Sequence, residues 1–329
     1  MSLRRLVTLL VVLAVLAPPV SAVTKRARVF RVGVLLQGTS PPRSSRPADP
    51  FVTALRGLGY IEGENLVFDW RGAAGESARF SELAAELVAW KPDVIVADTT
   101  PGSLAAKRAT KTIPIVMVNV SDPVNSGLVA SLARPGGNVT GGTDFGVEVS
   151  AKRLELLHDA VPAATRVAVL LSDNPVHPAQ LAVIESAARS INLAVLPTVV
   201  RSAEEFDQAF ESMAAKRVEA LMVLGGAPFS SQVQADKLAK LAAGAKLPTI
   251  FEDQPVAAFG GLLSYAPSAQ YRWTVAASYV DKILKGAKPA DLPVEQPTTF
   301  ELVINLRAAR ALGLTIAPSL LLRADEVIQ

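Results

Sequence analysis

The feature that most constrains the fold of this chain is a regular alternation of short apolar runs with amphipathic segments, in two successive sets. The runs rich in valine, leucine and isoleucine predict strands at 29–36, 65–70, 93–98, 113–120, 166–173, 193–200, 220–226, 248–251 and 260–266. The segments between them predict helices at 49–58, 77–90, 101–109, 148–160, 178–190, 203–216, 230–243 and 268–285. Because uninterrupted apolar strands separated by helices are typical of covered parallel sheets, the predicted fold class is α/β, with two doubly wound parallel-sheet lobes joined by a hinge.

The division between the two sets falls around residues 145–149, just after the glycine-rich stretch RPGGNVTGG. These glycines do not follow a predicted strand and open a helix, so they do not form a nucleotide-binding fingerprint. In the first set, Ser77 is a predicted N-cap, because Leu83, Leu87 and Trp90 follow it at helical spacing. With 329 residues the chain is long enough for two lobes.

The N-terminus has the three parts of a signal peptide. Arg4 and Arg5 form a charged region, residues 6–17 an apolar region, and small residues precede a predicted cut after Ala22. The apolar run is too short to cross a hydrocarbon core of ~30 Å, which favours a cleaved signal over a transmembrane anchor. The absence of cysteine excludes disulfides and a lipid anchor on an N-terminal cysteine. We therefore expect a periplasmic protein. Arg4 and Arg5 could indicate twin-arginine export, but their flanking residues fit it poorly, so the general secretory route is preferred.

The composition argues against several classes of function. Without the two arginines of the predicted signal peptide, 31 basic residues face 30 acidic ones, a net charge of +1, so no nucleic-acid partner is expected. His158, beside Leu154 and Leu157 on a helix, is expected to be structural, and His177 lies in a predicted loop between prolines, where it could also touch ligand. No G-x-S-x-G, H-E-x-x-H or S-x-x-K motif occurs. We expect neither catalysis nor a cofactor or metal.

Polar residues follow the predicted strands at the ends where doubly wound sheets bind ligands. In the first lobe these are Gln37, Gly38, Thr39, Thr99, Thr100, Ser121 and Asp122, and in the second Asn174, Gly226 and Asp253. Backbone N–H groups at helix starts suit a carboxylate, and an aspartate can pair with an ammonium group. The alternative is that these residues only cap helices and form turns. Because all the loops at this edge are polar, a binding site for a small zwitterion or carboxylate is favoured.

Several long segments resemble a known family, the ABC transporter substrate-binding proteins of the tryptophan/tyrosine-binding-like type. The agreement covers nearly all of the chain after the predicted signal peptide. It is strongest in LRGLGYIEGENL (55–66), DPVNSGLVASLARPGGNVTG (122–141), AKRLELLHDAVPAATRVAVL (151–170), GGLLSYA (260–266) and the C-terminal segment that starts KILKGAKPADLPVEQ (282–296). The resemblance implies a type I periplasmic-binding fold, whose two lobes are joined by three crossovers and close on ligand.

The resemblance also implies lobe boundaries and a site. The first lobe would comprise 23–145 plus about 267–290, and the second 146–266 plus about 291–329. Ligand would be gripped by Gln37 to Thr39, by Thr100 and Pro101, and by Ser121 and Asp122, with Asn174, Gly226, Asp253 and Tyr265 opposite. An aromatic or branched amino acid is the family expectation. The chain departs from the family pattern at Asp98-Thr99, at Ala266 and in a lengthened loop, TSPPRSSRPAD, so the identity of the ligand does not transfer.

The function expected from the sequence is solute binding for an ABC importer, with an inner-membrane permease and its cytoplasmic ATPase as partners. The oligomeric state stays open, with a monomer favoured. A periplasmic sensor that presents ligand to a signalling partner would have the same fold. An exported α/β enzyme is disfavoured by the missing catalytic motifs. A DNA-binding regulator would need a helix-turn-helix where the predicted signal peptide stands.

Overall fold

The computed structural model describes residues 28–230, 232–252 and 260–329. These residues form two α/β lobes, each built on its own sheet, which confirms the predicted fold class. The predicted signal peptide, 1–22, and the predicted site residue Asp253 lie outside the described residues. Within the part of the chain that is described, the helices are all too short or too polar to cross a membrane.

The first lobe is built on a parallel sheet of five strands. They are Phe30–Leu36 (β1), Leu66–Gly72 (β2), Val94–Asp98 (β3), Ile115–Val120 (β4) and Val139–Thr143 (β5). Their order across the sheet is β2-β1-β3-β4-β5, and each neighbouring pair is parallel. The connection from β1 to β2 runs toward one edge of the sheet, and the connections from β3 to β4 and β5 run toward the other. The carboxyl ends of β1 and β3 therefore border the crevice where doubly wound sheets bind ligands.

Helices Pro50–Gly57 (α1), Phe80–Ala89 (α2) and Thr99–Ala109 (α3) cover this sheet. α1 begins where it does because Asp49 accepts hydrogen bonds from the backbone N–H groups of Phe51 and Val52, and Pro50 follows the cap. The prediction that Ser77 caps the second helix is wrong. Ser77 starts a 3₁₀ turn before α2, and its hydroxyl donates a hydrogen bond to Asp173 instead.

The second lobe contains Ser150–Ala160 (α4), His177–Ser190 (α5), Phe206–Ala215 (α6) and Gln232–Gly244 (α7). Its first strands are Arg166–Leu171 (β6), Ala194–Val199 (β7), Ala220–Val223 (β8), Thr249–Phe251 (β9) and Leu263–Ala266 (β10). Two hydrophobic clusters, one on each face of the sheet, bury most of these strands between helices, whereas the edge strand β7 is only partly covered. The helices and strands predicted for this part of the chain therefore agree with the observed ones, with small differences at their ends.

The chain returns to each lobe once more. Ala269–Leu284 (α8) packs in the cluster of the first sheet, with Trp273 5.8 Å from Phe51 between ring centroids. The remaining elements pack on the second sheet: Glu301–Asn305 (β11), Leu306–Ala311 (α9), Pro318–Leu321 (α10) and Glu326–Ile328 (β12). The full order of that sheet is β12-β11-β10-β9-β8-β6-β7. Three connections thus cross between the lobes, after β5, after β10 and before β11.

Two features of the sheets differ from the prediction. β11 runs antiparallel to β10, so the second sheet is mixed rather than purely parallel. β5 begins in the glycine-rich stretch that the sequence analysis left without a strand and ends one residue after it. Its Gly141 has φ +131°, and a β-carbon there would overlap the Met117 carbonyl oxygen of β4. Glycine is therefore needed for the close approach of these two strands, and it weakens the strand signal in the sequence.

Candidate ligand-binding site

A cavity lies between the lobes at the carboxyl ends of both sheets. The described residues that line it all end or follow a strand: Gln37, Thr99, Asn119, Ser121 and Asp144 from the first lobe, and Asn174, Gly225, Gly226 and Glu252 from the second. Every one of these residues is polar or a glycine. The cavity therefore lies where doubly wound sheets bind ligands, and it is bounded by both lobes.

On the side of the first lobe, two residues have strained backbones. Thr99 and Asn119 have φ of +65° and +55°, in the left-handed region that non-glycine residues rarely adopt. Asn119 Nδ2 donates to Asp98 Oδ1 at 2.7 Å, and the Gln37 backbone N–H donates to Asp98 Oδ2 at 3.3 Å. Thr99 Oγ1 and Asn119 Oδ1 have no hydrogen-bond partner among the described residues although both atoms are buried. Such strain at a cleft is typical of a ligand-binding position.

On the side of the second lobe, Glu252 is held by three donors. Its carboxylate accepts from Arg153 Nη1 at 2.9 Å, from Gln180 Nε2 at 2.7 Å and from the Gly225 backbone N–H at 2.5 Å. The side chains of Arg153 and Glu252 are only 1% and 7% exposed. Arg153 also donates to the carbonyl oxygens of Tyr265 and Gly146. A buried ion pair of this kind persists because its remaining polar atoms are also hydrogen-bonded.

His177 connects two of the lining loops. The Ser172 backbone N–H donates to His177 Nδ1 at 2.9 Å, and Nε2 lies 2.9 Å from the Gly225 carbonyl oxygen. Nδ1 also lies 3.0 Å from the Ser172 carbonyl oxygen, so the ring nitrogen that donates depends on the tautomer. The sequence placed His177 in a loop, but it is the first residue of α5 and is buried. His177 thus positions the loops after β6 and β8.

The two lobes are in direct contact along the cleft. Ser77 Oγ donates to Asp173 Oδ1 at 3.3 Å across it. A β-carbon at Gly75 would overlap Gln234 Oε1 and lie 2.8 Å from the Ala227 carbonyl oxygen. A β-carbon at Gly146 would overlap Ser121 Oγ and lie 2.7 Å from Glu252 Oε1. The close contacts at both positions exist only while the lobes are close, although the φ of +84° at Gly75 favours glycine in any arrangement.

The last crossover is tied firmly to the first lobe. The backbone of Glu295 accepts from Thr143 N–H and donates to the Gly141 carbonyl oxygen, both at 2.9 Å. Tyr271 donates to Glu295 Oε1 at 3.1 Å, and burial together with this carboxylate raises the pKa of Tyr271. Tyr279 donates to the Pro293 carbonyl oxygen, and burial raises its pKa to about 12. Both phenols therefore remain donors at neutral pH.

The structure brings together some of the residues predicted from the sequence. Five line the cavity: Gln37, Thr99, Ser121, Asn174 and Gly226. Five others do not line it: Gly38, Thr39, Thr100, Asp122 and Tyr265.

These five have other roles in the structure. Thr39 is exposed and Thr100 is buried in α3. Asp122 accepts from the Asn125 backbone N–H at 3.0 Å, as a turn-forming residue would. The Gly38 carbonyl oxygen accepts from the Ala74 N–H, and the Tyr265 ring stacks on Phe300.

Four lining residues were not among the predicted ones: Asn119, Asp144, Gly225 and Glu252. Three of them lie within two residues of predicted ones: Asn119 near Ser121, Gly225 next to Gly226, and Glu252 next to Asp253. Asp144 follows β5, a strand that was not predicted, so no strand end indicated it. Arg153 gave no signal, because an arginine on an amphipathic helix is usually exposed.

Two sheet-based lobes with a polar cavity between them define the class of two-lobe solute-binding proteins. The sequence model described as "ABC transporter substrate binding protein" matches residues 37–328, and this chain belongs to that family. A curated relative, the tyrosine-binding protein of Clostridioides difficile (strain R20291), is 30% identical over 276 residues, which cover 83% of this chain and 78% of the relative. The chain is therefore a binding protein and not an enzyme.

Two solved structures of similar sequence identity differ in how well they superpose. The L-Trp complex of an ABC domain from Streptococcus pneumonia has 27% identity, covers 91% of this chain and 100% of its own, and gives a TM-score of 0.81. A ligand-free, open substrate-binding protein from Clostridium difficile has 26% identity, covers 92% and 100%, and gives 0.62. This chain thus superposes better on the ligand-bound structure than on the open one.

Proposed function

We propose that this protein is the periplasmic solute-binding component of an ABC importer, and that it captures a small amino-acid-like solute between its lobes by hinge closure. The observation that carries the proposal is the cavity at the carboxyl ends of both sheets, lined by side chains from both lobes. A solute bound there contacts both lobes only while they are closed. Its differential affinity for the two arrangements then shifts the population toward the closed one.

The contacts along the cleft support closure as the functional motion. The Gly75 and Gly146 approaches bring backbone and side chains of opposite lobes within van der Waals distance, which only small residues allow. The crossing hydrogen bond from Ser77 to Asp173 is long and exposed. Such a bond contributes little free energy by itself, so the closed arrangement would need a solute to predominate.

The relatives support an amino acid as the class of solute. One is described as tyrosine-binding, and a solved structure of the family contains L-Trp. The predicted signal peptide supports a periplasmic location. The closed protein would then dock on an inner-membrane permease driven by a cytoplasmic ATPase, as family membership suggests.

The experiment is a thermal-shift screen of the chain from Val23 onward against amino acids, purines, aromatic acids and sugars. A solute at ~100 times its dissociation constant stabilises the folded protein by ~2.7 kcal/mol, so a true ligand is visible as a raised melting temperature. Calorimetry and mass spectrometry should then recover the solute unchanged. Chemical conversion of the bound solute, or no stabilising compound in the whole panel, would contradict the proposal.

Import is distinguished from a sensor role by uptake measurements. Cells that lack this protein should lose high-affinity uptake of the identified solute, and the chain carrying its signal peptide should restore it. Uptake that is unchanged, together with a lost transcriptional response to the solute, would favour the sensor.

A further inference from the structure

We infer that the solute is a compact polar amino compound, rich in hydrogen-bond donors, and not an aromatic amino acid. This inference rests on the proposed function and concerns the same cavity. The geometry points to an ammonium group accompanied by a small hydroxyl or amide group. A solute of this kind would distinguish this chain from the relative described as tyrosine-binding and from the solved structure that contains L-Trp.

The first observation is the chemistry of the cavity wall. Among the nine described residues that line it, none has an aromatic ring or an aliphatic side chain. An indole or phenol ring placed there would cover side-chain amides, hydroxyls and carboxylates without pairing them. Each buried polar group left unpaired in this way lowers affinity by about tenfold or more. A wall built to hydrogen-bond a polar solute therefore rejects an apolar one of similar size.

The second observation is the kind of polar atom on the wall. Asn119 Oδ1 is buried, has no partner among the described residues, and can only accept a hydrogen bond. Thr99 Oγ1 is also buried and has no partner among the described residues. No lysine, arginine or histidine is among the described residues that line this cavity, although Arg272 lines the adjoining void. These two buried oxygens are complementary to N–H and O–H donors, such as those of an ammonium group.

The third observation is size. The cavity measures about 40 Å³ and the adjoining void, which also touches Asn119, about 10 Å³. The apolar residues of that void, Val118, Tyr271 and Val275, thus enclose no more than the space of one water. Sites for larger organic ligands measure roughly 300–1,000 Å³. A closed cleft of this volume favours a small solute over one with a bicyclic ring.

The test compares two sets of ligands on the chain from Val23 onward. Isothermal titration calorimetry uses serine, homoserine, asparagine and glutamine as polar probes, and tryptophan, tyrosine and phenylalanine as aromatic ones. We expect at least one polar probe to bind at least 100-fold more tightly than every aromatic probe. Small-angle scattering with each bound probe reports compaction.

The outcomes separate this inference from the proposed function. Tight binding of an aromatic probe with compaction would overturn the inference and leave the proposed function standing. A bound probe of either set without compaction would overturn the hinge mechanism itself. Binding by no probe would contradict the inference, since it names the polar set.

A variant tests whether the unpaired acceptors contact the solute. Thr99→Val removes Oγ1 while keeping the branched shape at a position with positive φ. We expect it to weaken the polar ligand about tenfold, and Thr99→Ser to recover most of that loss. The matched control is Thr112→Val, at an exposed position outside the cavity. Equal affinity of Thr99→Val and the control, at unchanged unfolding midpoints, would contradict a contact at Thr99.

Discussion

The two edges of the cleft are built in different ways. At the edge of the second lobe, Glu252 is held by Arg153, Gln180 and Gly225, and His177 connects the neighbouring loops. At the edge of the first lobe, Thr99 and Asn119 combine strained backbones with buried oxygen atoms that lack partners among the described residues. The second edge has one such atom as well, Gln180 Oε1.

This difference indicates that the second edge has a structural role and the first edge a role in binding solute. The hydrogen bonds of the second edge are made within the lobe, so this edge keeps its shape whether or not a solute is bound. The first edge keeps hydrogen-bonding capacity that a solute can use, and it stores backbone strain that surrounding structure must offset. Substitutions at the second edge should therefore lower stability most, while those at the interface between the edges should lower affinity.

The largest effect is expected from Glu252→Ala. It leaves the buried guanidinium of Arg153 without its carboxylate, which should lower the free energy of unfolding by about 3–5 kcal/mol. The matched control is Glu155→Ala, which removes the exposed partner of Lys152 on the same helix and should cost no more than about 0.5 kcal/mol. Urea denaturation of both variants measures the difference. Similar losses in the two would show that the buried pair has no special structural role.

The second effect is expected from His177→Phe. The Ser172 N–H and the Gly225 carbonyl oxygen would lose their buried partner, at a cost of about 1–3 kcal/mol each if neither finds another. His158→Phe is the control, because its Nδ1 has no partner among the described residues. In thermal unfolding, the melting temperature of His177→Phe should be well below that of His158→Phe. Equal melting temperatures would mean that the ring does not hold the two loops.

The third effect concerns the interface between the two edges. Gly146→Ala places a β-carbon against Ser121 of one lobe and Glu252 of the other, so the lobes cannot close fully. We expect solute affinity to fall by at least about tenfold, or ~1.4 kcal/mol. At Gly137 a β-carbon would meet nothing within 4 Å, which makes Gly137→Ala the control. Calorimetric affinities compare the two, and equal values would argue against closure at Gly146.

The smallest effect is expected from Ser77→Ala. Its hydrogen bond to Asp173 crosses the cleft at 3.3 Å in an exposed position, so its loss should change affinity less than about threefold. Ser131→Ala serves as a reference for a hydroxyl bonded only within its own loop. A loss of tenfold or more in Ser77→Ala would mean that this contact, rather than the solute, holds the lobes together.

Much of the fold could be predicted because strand and helix periodicities are local. β5 was not predicted because Gly141 and Gly142 carry no side chain that shows a strand pattern. Its pairing with β4 depends on a close approach of the two backbones. The antiparallel direction of β11 depends on where the chain re-enters the second lobe after α8, which no local pattern records.

As with the fold, only part of the site could be predicted from the sequence. The rule that ligands bind at strand ends selected Gln37, Thr99 and Asn174, which line the cavity. It could not separate them from Asp122, which forms a turn, because both roles use the same residue types. The pairing of Arg153 with Glu252 joins residues 99 positions apart and depends wholly on tertiary packing.

Small-angle X-ray scattering, with and without a solute of proven affinity, tests the central claim most directly. If the cleft binds solute by hinge closure, the radius of gyration of the chain from Val23 onward should fall on saturation. Gly146→Ala should show a smaller fall, and Gly137→Ala the full one. An identical radius of gyration in the free and saturated wild-type protein would contradict closure between the two edges.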